Sequence, residues 1–532
     1  MKKSLLLLLA FVFLVTAISA CGSADTPKTG ESSGAAAADG SQAASSGQSV
    51  DNLKQVTLRM FAIMDAPKNQ DLTDKFYKEL NEKLTKALHC TVELNYAAGN
   101  DFKNNYELAL ASGEKYDIMH AASGWLDYQK YAAKGAFLPL DDLIPQYAPY
   151  LQKKIAQKTW DAVKVNGKIY GVPSLKVTWC EPTFLYREDI RKKLSLPPVD
   201  SYEHIGTYLQ GIADHSKELG GILPSSDYQA QVYATSWIYT TPYMGIDEVS
   251  DRRFNFVLNP KDPTKVYAAI ETPEYKQYMS KLKEWADKGY WPSSVLTSTD
   301  WGVMNVLDGK SAASFNEQLP PYAYHATYIK QQHPDWELGF FLYSQDPKYP
   351  DSVVRTQSST SALMAVAKTA ENPERALMLI DYLQQNPDLW KFCYYGMEGI
   401  NYNLTDGMLD KTKIDEDTNG FNYFPADFIG NSEFELKEVN RWDRYDEYIK
   451  MLQDKTTDNI LDGFVLDTSG FAAEYTALYN VSVEYGFPIE AGLVKDVDAA
   501  YKTYIEKAKA AGLDKVREGV EKQVQAFLAN KK

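Results

Sequence analysis

The stretch 56–120, VTLRMFAIMDAPKNQDLTDKFYKELNEKLTKALHCTVELNYAAGNDFKNNYELALASGEKYDIMH, decides the fold. Residues 56–63 are an apolar, β-branched run of strand length. Leu72, Phe76, Leu80, Leu84 and Leu88 then recur every four residues, which lays one apolar stripe along a helix. Residues 91–96 predict a second strand, 102–111 a helix, and 116–120 a third strand. That alternation predicts a parallel α/β sheet with right-handed crossovers. Such sheets bind ligands at the carboxyl ends of their strands, so the loops after Ile63 and His120 are the ones to search.

Downstream, residues 165–173 predict a hairpin with Asn166 and Gly167 in its tight turn. Asn372 predicts a helix cap, with Pro373 at the first helical position and Leu377, Ile380 and Leu383 as the buried stripe. The tail from Val497 to Lys532 reads as amphipathic helix, and the chain carries no internal repeat.

Upstream, Lys2 and Lys3 precede an apolar run from Leu5 to Ile18 and the small residues Ser19 and Ala20, the three parts of a secretion signal over 1–20. The run is too short for a stable membrane span. Residues 22–50 are almost entirely Gly, Ser, Ala, Gln and Thr, a composition that buries no core and forms a flexible tether. Removing the signal moves the net charge from -15 to about -17, which argues against nucleic acid, whose phosphates need clustered Lys and Arg. Cys90, Cys180 and Cys393 lie far apart and give no disulfide framework; they read as small buried hydrophobes. The roughly 480 residues beyond the tether exceed what one core supports, so two lobes are expected.

Ile18, Ser19, Ala20 and Cys21 resemble the bacterial lipobox, which implies acylation of Cys21 and a lipid anchor on the outer face of a Gram-positive type cell membrane. Four further segments together resemble the extracellular solute-binding proteins of carbohydrate ABC importers, the family related to maltose-binding protein. They are Asp117 and Ile118 followed by 135–142 (GAFLPLDD), 165–173 (VNGKIYGVP), 307–313 (LDGKSAA) and 371–383 (ENPERALMLIDYL). Residues 463–467, 480–485, Gly492 and 511–516 resemble the C-terminal extension of one branch of that family. The resemblance implies a two-lobed, type II periplasmic-binding-protein-like α/β fold with a hinge and a helical C-terminal extension. It places the first lobe at 51–181 and 354–396, and the second at 182–353 and 397–532. The implied function is capture of a sugar, an oligosaccharide, and its delivery by a monomer to membrane permease subunits, with no cofactor and no catalysis. The alternative is an anchored glycosidase-like enzyme, which needs two carboxylates about 5 to 9 Å apart.

Sugar recognition uses flat aromatics for ring faces and planar carboxylates or amides for hydroxyl pairs. Trp125 and Asp127 follow the third strand, where the family places stacking and polar contacts; the other use of Trp125 is packing the start of a helix. Asp65, after the first strand, is either a ligand contact or a helix cap. Glu181, at the lobe crossing, resembles a family acidic contact, and one of Trp179 and Glu181 should face the cleft. Tyr233 and Trp237 suit stacking or core burial equally. Asn316 and Glu317 follow the GKSAASF strand, and Tyr395 and Glu398 lie in YYGMEG, which resembles a loop near the cleft. Asp415, Asp417, Asn419 and Gly420 match half of a calcium loop, but Ala426 stands where the bidentate Glu belongs, which favours a solvated Asx turn and no metal. The six histidines show no zinc spacing.

Overall fold

Buried Leu58, Met60, Phe61 and Ala62 make Val56–Ile63 (β1) a strand covered on both faces, as a central strand of an α/β sheet must be. Asn69 caps the helix Gln70–Leu88 (α1) by accepting the Leu72 amide at 3.1 Å, and the stripe at Phe76, Leu80, Leu84 and Leu88 is buried. The strand Cys90–Ala97 (β2), the helix Phe102–Ser112 (α2) and the strand Ile118–Ala121 (β3) follow. β1 pairs in parallel with both β2 and β3. The computed structural model describes residues 53–531 apart from 98–101, 124, 180, 226–237, 246–254, 298–301, 320–323, 353 and 422.

Asn166 and Gly167 adopt φ values of 51° and 79°, the left-handed pair that a two-residue hairpin turn requires. The chain continues as Gly171–Pro173 (β4) and then leaves the first sheet. In the second sheet Glu181–Arg187 (β5), Leu223–Ser225 (β6), Ser311–Leu319 (β7) and Leu338–Leu342 (β8) lie in the order β8, β5, β7, β6. It returns as Leu363–Val366 (β9), which completes the first sheet in the order β2, β1, β3, β9, β4. β9 runs antiparallel to β3, with Leu363 opposite Ala121, so the sheet is mixed where the sequence predicts it parallel. The reason is topological: β9 re-enters from the second lobe at the carboxyl end of β3.

The corner before Pro373–Gln385 (α3) is held differently from its sequence signature. The Asn372 side chain makes no capping hydrogen bond. Instead the Asp117 carboxylate accepts the Asn372 amide at 2.9 Å and the Arg59 amide at 2.9 Å, tying α3 to β1.

Among the described residues, the passages of chain that connect the lobes bind one another. Leu175 bridges to Asn431, Trp179 to Thr356, and Val354–Arg355 pair in parallel with Thr456–Thr457. The Gln357 amide donates to the Thr178 carbonyl at 2.7 Å, and the Trp179 indole to the Thr456 hydroxyl at 2.7 Å.

One core fills the first lobe, and two cores lie on the second sheet. Residues 397–429, expected with the second lobe, contribute Met397, Tyr402, Leu409, Tyr423, Phe424, Phe428 and Ile429 to the first core instead. Their aromatic side chains find partners there: Tyr423 and Phe421 pack on Phe76 of α1. The extension beyond Leu461 joins the second core through Phe471, Leu478, Phe487, Ile489 and the valines 516, 520 and 524. The expected terminal helix is two, Val497–Ala510 (α4) and Leu513–Asn530 (α5), broken where Gly512 takes φ 102°. No helix among the described residues is long and apolar enough to cross a membrane. Cys90 and Cys393 are buried thiols, the former pushed up to about 12 by burial; Cys21 and Cys180 lie outside the described residues.

Candidate functional site

The carboxyl end of β3 carries a layered aromatic group. His120 is fully buried, and burial pushes its imidazole down to about 3, so it is a neutral flat ring at any physiological pH. It stacks on Phe428 with centroids 3.7 Å apart. Trp125 lies above, edge-on to Phe102 at 5.3 Å and tilted against Phe428 at 6.0 Å. It is 41% exposed, whereas Trp285 and Trp390 are core residues. An indole braced by two rings with two-fifths of its surface exposed offers a face for ring stacking with a ligand.

Backbone hydrogen bonds fix the loop beneath it. The Ser123 amide donates to the Thr360 carbonyl at 2.8 Å, the Trp125 amide to the Ser123 carbonyl at 3.1 Å, and the Tyr128 amide to the Ala122 carbonyl at 3.0 Å. Asp127 sits at φ 46°, a left-handed conformation that costs a non-glycine residue about 1–2 kcal/mol. Its carboxylate meets the ammonium groups of Lys130 at 3.3 Å and Lys103 at 3.7 Å and makes no helix-capping bond. Asp65, in the loop after β1, is exposed, and the side chain that caps α1 is that of Asn69.

At the crossing the two expected neighbours are both buried. The Trp179 ring packs in a core of the second lobe with Leu185, Val303 and Leu342. Glu181 opens β5 at 7% exposure beside Ser344; burial pushes its carboxyl up to about 7, against the pull of Arg355 and Lys455. The cleft face expected of one of this pair is not marked by solvent exposure, since Trp179 is 6% and Glu181 7% exposed. Tyr395 is buried among Trp390, Tyr394 and Tyr402, and its hydroxyl accepts the Leu436 amide at 2.8 Å. Glu398 is exposed and its backbone bridges to Tyr402.

Asn316 and Glu317 lie on β7, Glu317 opposite Thr183, where the register with β5 shifts after Ser314. Their side chains, like Tyr233 and Trp237, lie outside the described residues. Asp415 precedes a single helical turn, Glu416–Asn419, and its carboxylate accepts the Thr418 hydroxyl at 2.7 Å. Among the described residues no group of three or more His, Cys, Asp or Glu is arranged to hold a metal. A cavity of about 380 Å³ lies away from Trp125, lined by Thr327, Lys330, Gln331, Val439, Asn440, Arg441 and Asp443; it presents no aromatic face.

The structure thus brings together Trp125 and Asp127 on one strand-end loop, and Trp179 and Glu181 at the hinge. Phe428 and Phe102 complete the aromatic layer without a sequence signal of their own. Phe428 belongs to a short turn, Ala426–Ile429, in a region without periodicity.

Comparison with known proteins gives concordant matches. The family described as bacterial extracellular solute-binding protein matches residues 75–394, and a domain of unknown function matches 460–529. A carbohydrate ABC transporter substrate-binding protein of Streptococcus pneumoniae serotype 4 is 24% identical over 508 residues, which covers 93% of this chain and 96% of that protein. The crystal structure of the N-glycan transport solute binding protein NgtS from Streptococcus pneumoniae superposes with a TM-score of 0.73 at 22% identity, covering 90% of this chain and all of that one. The same protein in complex with Man5GlcNAc gives 0.61 at 22% identity, again over 90% and 100% of the two chains. The alginate-binding protein AlgQ2 gives 0.61 at 17% identity, over 90% and 99%. These superpositions establish a shared two-lobed fold.

Proposed function

The chain belongs to the bacterial extracellular solute-binding protein family, and from that premise we propose that it captures an oligosaccharide between its lobes and delivers it to the permease of an ABC importer. The observation that carries this reading is Trp125, open to solvent at the carboxyl end of a sheet strand in a hinged two-lobed fold. The name of the pneumococcal relative supports a carbohydrate ligand. So does the neighbouring structure with Man5GlcNAc bound.

In this reading Trp125 supplies a ring face, and Asp127 and Asp65 accept ligand hydroxyls from the first lobe. Glu181, Asn316 and Glu317 do so from the second lobe, with Tyr233 and Trp237 adding ring faces. Trp179 and Tyr395 shape the hinge and rim, and Glu398 contributes an exposed carboxylate. A micromolar dissociation constant needs about 8 kcal/mol, within reach of a few stacked rings and several charge-assisted hydrogen bonds. Binding rather than catalysis is the proposed role.

A thermal-shift screen of the signal-free protein against a glycan panel that includes Man5GlcNAc tests the reading. A ligand that binds only the folded state at a hundred times its dissociation constant adds about 2.7 kcal/mol of stability. A panel that moves no midpoint defeats the sugar reading. Release of new reducing ends from a bound glycan would instead support the glycosidase-like alternative.

Cys21 is the proposed anchor, on the strength of its lipobox-like setting and the Gly/Ser/Ala tether behind it. Cys21→Ser is expected to abolish acyl incorporation and shift the protein from the membrane fraction to the medium or to an unprocessed precursor. Wild-type acylation and membrane retention of that variant would refute the anchor.

A further inference from the structure

Asp462 lies where the chain enters the C-terminal extension, and its carboxylate grips the segment that returns to the first lobe. It accepts the Ser358 hydroxyl at 3.0 Å, the Ser359 amide at 2.9 Å and the Ser359 hydroxyl at 2.6 Å. Bonds to an ionised acceptor are the stronger kind, and three of them converge on one turn. The turn carrying Asp462 is itself held from two sides. Behind it, Lys531 at the end of α5 donates to the carbonyls of Asn459, Ile460 and Asp462 at 3.4, 3.2 and 3.2 Å. Beside it, Gly463 takes φ 84° and approaches the first lobe so closely that an added Cβ would lie 2.6 Å from the Ala162 carbonyl oxygen.

On the far side of the grip stands the aromatic rim. Thr360 is buried, and its carbonyl accepts the Ser123 amide that starts the Trp125 turn. A continuous series of bonds therefore runs from Lys531 through the 459–462 turn, the Asp462 carboxylate and the 358–360 segment to Ser123 and Trp125. Strand-end loops of this kind are ordinarily among the less stable parts of a domain. Here the loop is tied to an extension anchored in the second core.

We propose that Asp462 is a positioning residue of the sugar site: with Lys531 behind it, it holds the 358–360 segment and thereby the Trp125 loop in the orientation used for ring stacking. The C-terminal extension then sets ligand affinity without touching ligand. The proposal rests on the reading of Trp125 as a sugar platform. Its physical content is preorganisation: a loop that is already ordered loses less freedom on binding.

The test uses the signal-free chain, its Asp462→Ala, Asp462→Asn and Lys531→Met variants, and Man5GlcNAc as probe. Asp462→Ala is expected to speed amide hydrogen exchange at 122–127 as well as at 358–362 without ligand, with exchange in β3 unchanged. It is expected to weaken glycan binding about tenfold, chiefly through faster dissociation. Asp462→Asn keeps an acceptor toward the Ser359 amide and should recover part of the loss, and Lys531→Met should act in the same direction more weakly. In a Trp125→Ala background the Asp462→Ala effect should vanish, a coupling that a purely structural role would not produce. Exchange at 122–127 equal to wild type, or affinity losses that add independently, overturns the positioning role. A wild-type protein that binds neither Man5GlcNAc nor any other glycan of the panel removes the sugar platform instead, and the proposal with it; that result is read separately from the exchange data.

Discussion

Trp125→Ala lowers glycan affinity roughly 10- to 100-fold, the equivalent of about 1.4–2.7 kcal/mol of buried apolar surface. The same substitution moves the melting temperature of the unliganded protein by no more than about 2 °C. The reason for the split is exposure: the indole is 41% exposed and touches Phe102 and Phe428 only in edge and tilted geometry. Trp285 and Trp390 are fully buried, and truncating either costs about 3–5 kcal/mol of stability. Isothermal titration alongside a melt of the empty protein decides it. A variant that melts much lower yet binds as wild type once folded would show that Trp125 only packs a helix start. Glu181→Gln should behave differently, because burial holds that carboxyl near neutral up to about pH 7. At pH 5 glutamine imitates the protonated acid and binding should match wild type, with divergence growing as the pH rises through 7.

The first lobe was legible because its strands and helices are written in periodic apolar residues whose partners are local. α1 shows its stripe at Phe76, Leu80, Leu84 and Leu88, and the Asn166–Gly167 turn announces itself by residue type. What could not be read was fixed by contacts across long sequence separations. The antiparallel sense of β9 depends on where the chain returns from the second lobe, and Asp117 replaces the Asn372 side chain by reaching two distant amides. The split of the terminal helix was visible in Gly512, which an amphipathic reading ran past.

The candidate site divides in the same way. Strand-end topology pointed to the loop that carries Trp125 and Asp127, because that rule needs only element order. It could not separate an exposed tryptophan from a buried one, and Trp179 lies in a core although its sequence neighbourhood resembles that of a ligand contact. Phe428 and Asp462 act on the rim from segments hundreds of residues away. A periodicity argument has no access to either.

The second large effect concerns how the extension is held. Glu490→Gln is expected to flatten the pH dependence of stability between about pH 4.5 and 8. Glu490 is buried in the second core, where its carboxyl accepts the hydroxyls of Tyr239 at 3.0 Å and Tyr275 at 3.3 Å. Those donors favour the anion, yet burial outweighs them and pushes the carboxyl up to about 8. The folded pKa thus lies above the unfolded one, so the native state holds the extra proton in this window. Stability from this group is complete below about pH 4.5 and is lost as the pH rises toward 8, at up to about 1.4 kcal/mol per pH unit. Glutamine cannot titrate, and its carbonyl can still accept both tyrosine hydroxyls. The variant should therefore nearly match wild type at pH 5 and exceed it at pH 8.5, where wild type must either bury an anion or loosen the helix Phe487–Glu490 that carries it. Glu181 has the same sign and a window ending near pH 7, so some slope will persist in the single variant and shrink further when Glu181→Gln is added. Urea midpoints measured from pH 5 to 8.5 provide the check. Parallel curves for wild type and Glu490→Gln would show that the proton is not held there. Because Tyr239 and Tyr275 belong to the second lobe and Glu490 to the extension, a confirmed slope would also make docking of the extension sensitive to pH.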